Sequence, residues 1–182
     1  MRRAILPRRK HAILLTGPPG IGKTTSLRRA AHALTGWAIR GFTTEEIRSA
    51  GQRVGFRLET FDGRGVVLAR VDLRSRHRVG RYGVDVEALD SLVESALSLV
   101  ESVDVYFVDE IGKMECFSPR FVTAMTALLD SDCLLIATVA VRGGGLITEA
   151  KHRGDVELWQ LTRENRDEVP ARVVAWLAAR KR

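Results

Sequence analysis

Cysteine is scarce. Cys116 and Cys133 sit in separate apolar contexts with no CxxC spacing. That argues against a disulfide framework or a thiolate metal site, and predicts two buried or half-buried thiols. His11, His32, His77 and His152 show no ligand spacing, so no zinc site is expected. No apolar run approaches the roughly 18–20 residues of a membrane helix. After a basic start, the apolar stretch Ala12–Leu15 is too short for the core of a secretory signal, and the cytoplasm is the expected compartment. Internal repeats and low-complexity tracts are absent. With 45% hydrophobic and 28% charged residues, the composition is that of a folded chain.

What the chain has in excess is positive charge, +7 over 182 residues. Its distribution weakens a nucleic-acid reading. Residues 1–10 carry five basic side chains and Arg180–Arg182 carry three, with no acids in either stretch, so the span between them is nearly neutral. Such ends read as solvated tails. One internal cluster remains, Arg70, Arg74, Arg76, Arg78 and Arg81, and it reads first as a solvated loop. The length suits one domain over residues 1–182.

His11–Thr16 is a short apolar run ending at Gly-Pro-Pro-Gly and reads as a buried strand. Over Thr24–Thr35, Leu27, Ala30, Ala31 and Leu34 mark one helical face, with Gly36 placed to stop it. Trp37–Phe42 predicts a second strand. From about 45 to 71 the pattern alternates, with turn signals at Ser49–Gln52 and Asp62–Gly65, which predicts an antiparallel β-meander insertion. Val71–Tyr82 reads as a loop. Val86–Val100 predicts a helix and Val103–Val108 a strand. Ser118-Pro119 predicts a capped helix start, Cys133–Val141 a central strand, Val156–Leu161 a further strand, and Pro170 the opening of a last helix. The alternation predicts an α/β fold of three layers with a mostly parallel central sheet. Ligands of such sheets bind at the carboxyl ends of the strands.

Gly17-Pro18-Pro19-Gly20-Ile21-Gly22-Lys23-Thr24 fits G-x-x-x-x-G-K-[ST] between a strand and a helix. Glycines let backbone amides approach phosphate oxygens, and the helix start adds its positive dipole end. Lys23 is expected on the β- and γ-phosphates and the Thr24 hydroxyl on Mg²⁺; Thr25 completes the nucleotide-binding stretch. Val105–Val108 followed by Asp109 and Glu110 is an apolar strand ending in two acids. Asp109 is expected to hold Mg²⁺, and Glu110 to orient or deprotonate the attacking water. Asp109-Glu110-Ile111-Gly112 also fits the D-x-x-G of GTPase switches. The only asparagine, Asn165, is followed by Arg166, so the guanine motif Asn-Lys-x-Asp is missing and a dedicated GTPase is disfavoured. Thr138 is equally readable as a sensor of the attacking water or γ-phosphate and as an ordinary strand residue. Lys113 and Glu115 are readable as site residues or as surface charges. Trp37, Trp159 and Trp176 read as core.

With these motifs placed, the chain resembles the cancer-related nucleoside triphosphatase family of small P-loop proteins. GPPGIGKTT (Gly17–Thr25), GFTTEEIRSAGQRVGF (Gly41–Phe56), VDEIGKMECFS (Val108–Ser118) and LTRENRDEVP (Leu161–Pro170) carry the likeness, with RVGRYGVD (Arg78–Asp85) weaker. The resemblance implies a RecA-like P-loop NTPase fold. It implies Mg²⁺-dependent hydrolysis of ATP, GTP, CTP and UTP to diphosphate and phosphate with broad base tolerance. It also implies nucleotide contacts from Gly17–Thr24, metal binding by Thr24 and Asp109, and water activation by Glu110. Two departures stand out. Thr43 occupies an expected aromatic position, and Arg142-Gly143-Gly144-Gly145 replaces a segment often holding proline and lysine. The second predicts a mobile loop. A P-loop kinase with Arg70–Arg81 as a lid, and an ATP-switched nucleic-acid binder using the basic ends, are the alternative readings. A monomer is the expected state.

Overall fold

The computed structural model of the chain describes residues 9–181. Arg2, Arg3, Arg8 and Arg182 of the basic ends lie outside the described residues. In chain order the elements are β1 (Ala12–Thr16), α1 (Lys23–Ala33), β2 (Ile39–Ser49), β3 (Gln52–Thr60), β4 (Gly65–Arg70), β5 (Arg78–Val79), β6 (Tyr82–Val84) and α2 (Val86–Ala96), followed by β7 (Val105–Ile111), α3 (Pro119–Asp130), β8 (Leu134–Val139), α4 (Leu146–Lys151), β9 (Val156–Gln160) and α5 (Val169–Ala178).

All the strands belong to one sheet of order β5-β6-β4-β3-β2-β7-β8-β1-β9. β2, β7, β8, β1 and β9 run parallel, and β3, β4, β6 and β5 continue the sheet antiparallel. β1 shows why the layers are three. Ala12 and Leu14 enter one core with Leu89 and Val93 of α2, Phe121 and Met125 of α3 and Ile147 of α4. Ile13 and Leu15 enter the other, with Leu27 and Ala30 of α1 and Val173 and Leu177 of α5. A strand buried on both faces must be apolar throughout. Burying each leucine is worth about 2 kcal/mol relative to exposure.

The meander is part of the main sheet, and β2 belongs to both halves. Ile39–Phe42 pairs with β7 in parallel, and Phe42–Ser49 pairs with β3 antiparallel, so one strand replaces the two segments expected on either side of residue 43. Gly41 permits the junction: its φ is +111°, and a Cβ there would lie 1.8 Å from the Phe107 carbonyl oxygen. The β2–β3 hairpin turns at Ala50 (φ +47°) and Gly51 (φ +76°), the left-handed pair that a two-residue hairpin requires.

Several boundaries differ from expectation. The loop expected over residues 71–82 contains β5 and the start of β6. α2 stops at Ala96, because the Tyr106 hydroxyl of β7 accepts from Val100 N (3.0 Å) and donates to the Ser98 carbonyl (2.8 Å), drawing that backbone away from the helix. β7 runs on to Ile111 and so contains both acids. α4, absent from the sequence reading, starts at Leu146 and is capped by Gly145, the end of the tri-glycine run. The start of α3 is as expected: Ser118 Oγ accepts from Phe121 N at 2.9 Å, with Pro119 at the first helical position. Cys116 and Cys133 are free and half-buried, and burial pushes the Cys116 thiol up to about 11. Among the described residues no helix is long and apolar enough to cross a membrane.

Candidate active site

The loop 17–22 leaves the carboxyl end of β1 and enters α1. Gly20 (φ +77°) and Gly22 (φ +110°) adopt left-handed conformations that a side chain would oppose. Pro18, Pro19 and Gly20 are exposed, while Ile21 is buried beneath them and its amide donates to the Pro18 carbonyl at 3.2 Å. Lys23 folds back over the loop, donating from Nζ to the Gly17 carbonyl at 3.0 Å. Thr24 follows inside the first turn of α1, and Thr25 points to solvent.

Only β8 separates β1 from β7. Asp109 is buried at 2% exposure among three threonines from three elements. Its Oδ1 accepts from Thr138 Oγ1 of β8 at 2.7 Å and its Oδ2 from Thr44 N of β2 at 3.3 Å. Thr24 also acts on the carboxylate, favouring its charged form, and Thr44 Oγ1 donates to the Asp109 carbonyl. Burial raises the Asp109 pKa against these bonds and the charge of Lys23. Thr138 therefore has a side-chain partner, where the sequence reading left a sensor and a backbone-satisfied strand residue open.

Glu110 is half-buried. Desolvation raises its pKa, with Asp109 adding to the rise and Lys23 opposing it. Glu115 is buried, and its pKa is pushed up to about 8 by burial first and then by the charges of Glu110 and Asp109. A Cβ on Gly112 would lie 2.8 Å from Glu115 Oε2 and 3.5 Å from the Glu110 carboxyl carbon, so that glycine leaves room for both acids. Lys113 is exposed.

The donors on offer are hard oxygens, one buried carboxylate and a hydroxyl, which suits Mg²⁺ shared with substrate phosphates. No cluster of three His, Cys, Asp or Glu able to hold a metal exists among the described residues, so a closed all-protein cage is absent there.

Sequence reasoning passed over Thr44 and Arg28. Arg28 of α1 donates to Thr43 Oγ1 (3.1 Å) and the Thr44 carbonyl (3.2 Å) and pairs with Glu45 at 3.0 Å. The spacing of Thr24 and Arg28, four residues apart on one helix, was the available signal. In the arginine cluster, Arg70 pairs with Asp72, Arg78 donates to the Leu73 and Arg81 carbonyls, and Arg81 to the Arg53 carbonyl. These bonds brace the antiparallel edge. In the region after β8, Lys151 Nζ donates to the Ala140 and Val141 carbonyls, both at 2.9 Å. A cavity of about 600 Å³, lined by His11, Asp104, Cys133 and Arg180 among others, opens at the amino ends of the parallel strands, opposite the loop.

A lysine-bearing glycine loop, and an acid-tipped strand one strand removed from it in a parallel sheet, define the P-loop class of nucleotide-binding α/β proteins. A family model described as NTPase matches residues 12–174, and the chain belongs to that family. It is 42% identical over 176 residues to nucleoside-triphosphatase THEP1 of Thermofilum pendens, covering 92% of this chain and 97% of that one. The crystal structure of THEP1 from the hyperthermophile Aquifex aeolicus superposes with a TM-score of 0.84 at 32% identity, covering 91% of this chain and 98% of that one. The solution structure of a human cancer-related nucleoside triphosphatase gives 0.80 at 34%, covering 96% and 100%.

Proposed function

We propose that this chain is a nucleoside-triphosphate phosphohydrolase that works as one domain, converting ATP, GTP, CTP and UTP to diphosphate and phosphate with Mg²⁺. The observation that carries the reading is the approach of Thr24 and Lys23, at the end of the phosphate loop, to the buried carboxylate of Asp109, whose pKa both lower. It couples the two halves of the site through a pair of Mg²⁺-compatible oxygens.

In this reading the amides of residues 17–24 receive the phosphates, and Lys23 gives up its carbonyl partners to reach the terminal ones. Thr24 and Asp109 hold Mg²⁺, which when bound supplies charge neutralisation on the phosphate oxygens. Thr44 and Thr138 fix the Asp109 rotamer. Glu110 takes a proton from water aligned with the scissile bond, and its raised pKa makes it a stronger base than an ordinary glutamate. Gly17, Pro18, Pro19, Gly20, Ile21, Gly22 and Thr25 contribute shape and backbone. The cytoplasm is the compartment we assign, and a monomer the state.

The direct test is phosphate release from each of the four triphosphates, with and without Mg²⁺ and without any acceptor. Release from all four with Mg²⁺ is the expected result. Turnover only when a phosphate-accepting metabolite is added would replace the hydrolase with a kinase.

A further inference from the structure

Resting on the hydrolase reading, we infer that Arg166 covers the nucleoside end of the substrate and stacks its guanidinium on the base, whichever base that is. Asp109 and Glu110 lie on the β7 side of β1, so a terminal phosphoryl group between them and Lys23 sends the rest of the nucleotide towards the opposite neighbour of β1, which is β9. The segment following β9 meets it there. Its Leu161 carbonyl oxygen would be 3.0 Å from a Cβ on Gly17, and Ser26 Oγ of α1 donates to the Arg166 carbonyl at 3.3 Å. The Arg166 side chain approaches the phosphate loop at Gly22, its Cδ 3.9 Å from where a Cβ on that glycine would stand. It is exposed, and no ion pair or hydrogen bond occupies its guanidinium among the described residues.

Around Arg166, Asp167 pairs with Arg29 of α1 at 3.8 Å, and Asn165 is engaged with the segment itself. Asn165 accepts from Thr162 N and donates to the Gln160 carbonyl, both at 2.9 Å. The one asparagine of the chain therefore spends a donor and an acceptor on bracing its own loop. Of the two exposed arginines of the segment, Arg163 and Arg166, it is Arg166 that approaches Gly22 of the phosphate loop with a planar cation. A guanidinium stacks on any base because every base has a π-face. Base tolerance then follows from recognition of a face in place of an edge.

The experiment measures KM for ATP, GTP, CTP and UTP in wild type, Arg166→Ala and Arg166→Lys, with inorganic tripolyphosphate as a competitive inhibitor. We expect KM to rise roughly tenfold for all four in both variants, the size of a lost base stack. Lysine should not rescue, since it keeps the charge and loses the plane, and inhibition by tripolyphosphate should be unaltered. Rescue by lysine, or weaker tripolyphosphate inhibition, would assign Arg166 to the phosphates and overturn the inference. So would an unchanged KM, or a change for one base alone. Wild type that hydrolyses none of the four would instead remove the hydrolase reading underneath.

Discussion

Glu110 and Glu115 lie on one short stretch of chain, and their environments separate their roles. Glu110 is half-open, its raised pKa held in check by Lys23. Glu110→Gln should retain nucleotide affinity and lower turnover by about 100-fold, the scale of a lost general base. Single-turnover kinetics beside a binding titration will tell, and equal turnover removes Glu110 from the role. Glu115 is enclosed, with its pKa at about 8. Its folded pKa lies above the ordinary 4.5, so the folded state holds a proton that the unfolded state has lost. The stability it lends is complete below about pH 4.5 and drains away as pH rises towards 8. Glu115→Gln has no such loss. The unfolding free energy of the variant relative to wild type, read from denaturant titrations, should therefore climb between pH 5 and pH 8, with a limiting slope of about 1.4 kcal/mol per pH unit. A difference constant across that range refutes it. The motifs that hold Lys23, Thr24, Asp109 and Glu110 were legible because they are local in sequence. Thr44 was not, because its partner Asp109 is 65 positions away.

At the scale of elements, the weight falls on β2 and its crossing of β7. That crossing brings Thr44 against Asp109, and it depends on Gly41. Gly41→Ala would drive a methyl into the Phe107 backbone at a φ that alanine resists. A loss of roughly 3 kcal/mol or more is expected in denaturant unfolding, at the severe end for a single substitution. A loss below 1 kcal/mol would mean that the strands part without strain. The cap of α3 is milder: Ser118→Ala should cost about 1 kcal/mol. Helix starts and turns were readable from Ser118-Pro119 and Ala50-Gly51 because the side chain or backbone requirement acts within a few residues. The early end of α2 was not, since Tyr106, which redirects Ser98–Val100, belongs to another element.

For the whole molecule, the sheet arrangement lets one ligand bridge many elements. Binding that bridges the phosphate loop and Asp109 should stabilise the entire fold by mass action. A triphosphate with Mg²⁺ should raise the melting temperature by several degrees at saturation. Chelating the metal should remove most of that shift together with phosphate release. A shift indifferent to the metal would argue against the shared Thr24–Asp109 site. The arginines of residues 70–81 contribute at this scale too, tying β5 and β6 to the antiparallel edge.

By itself the sequence determined the layered α/β class, the parallel core strands, the phosphate loop and the acid-tipped strand. Each is written in a short periodicity or a motif whose physical requirement is local. Tertiary structure alone decided the continuity of the meander with the main sheet, the threonine enclosure of Asp109, the burial of Glu115 and the course of Arg166 along Gly22. Those features are contacts between residues far apart in the chain, and their energies come from packing and desolvation that exist only once the elements have met.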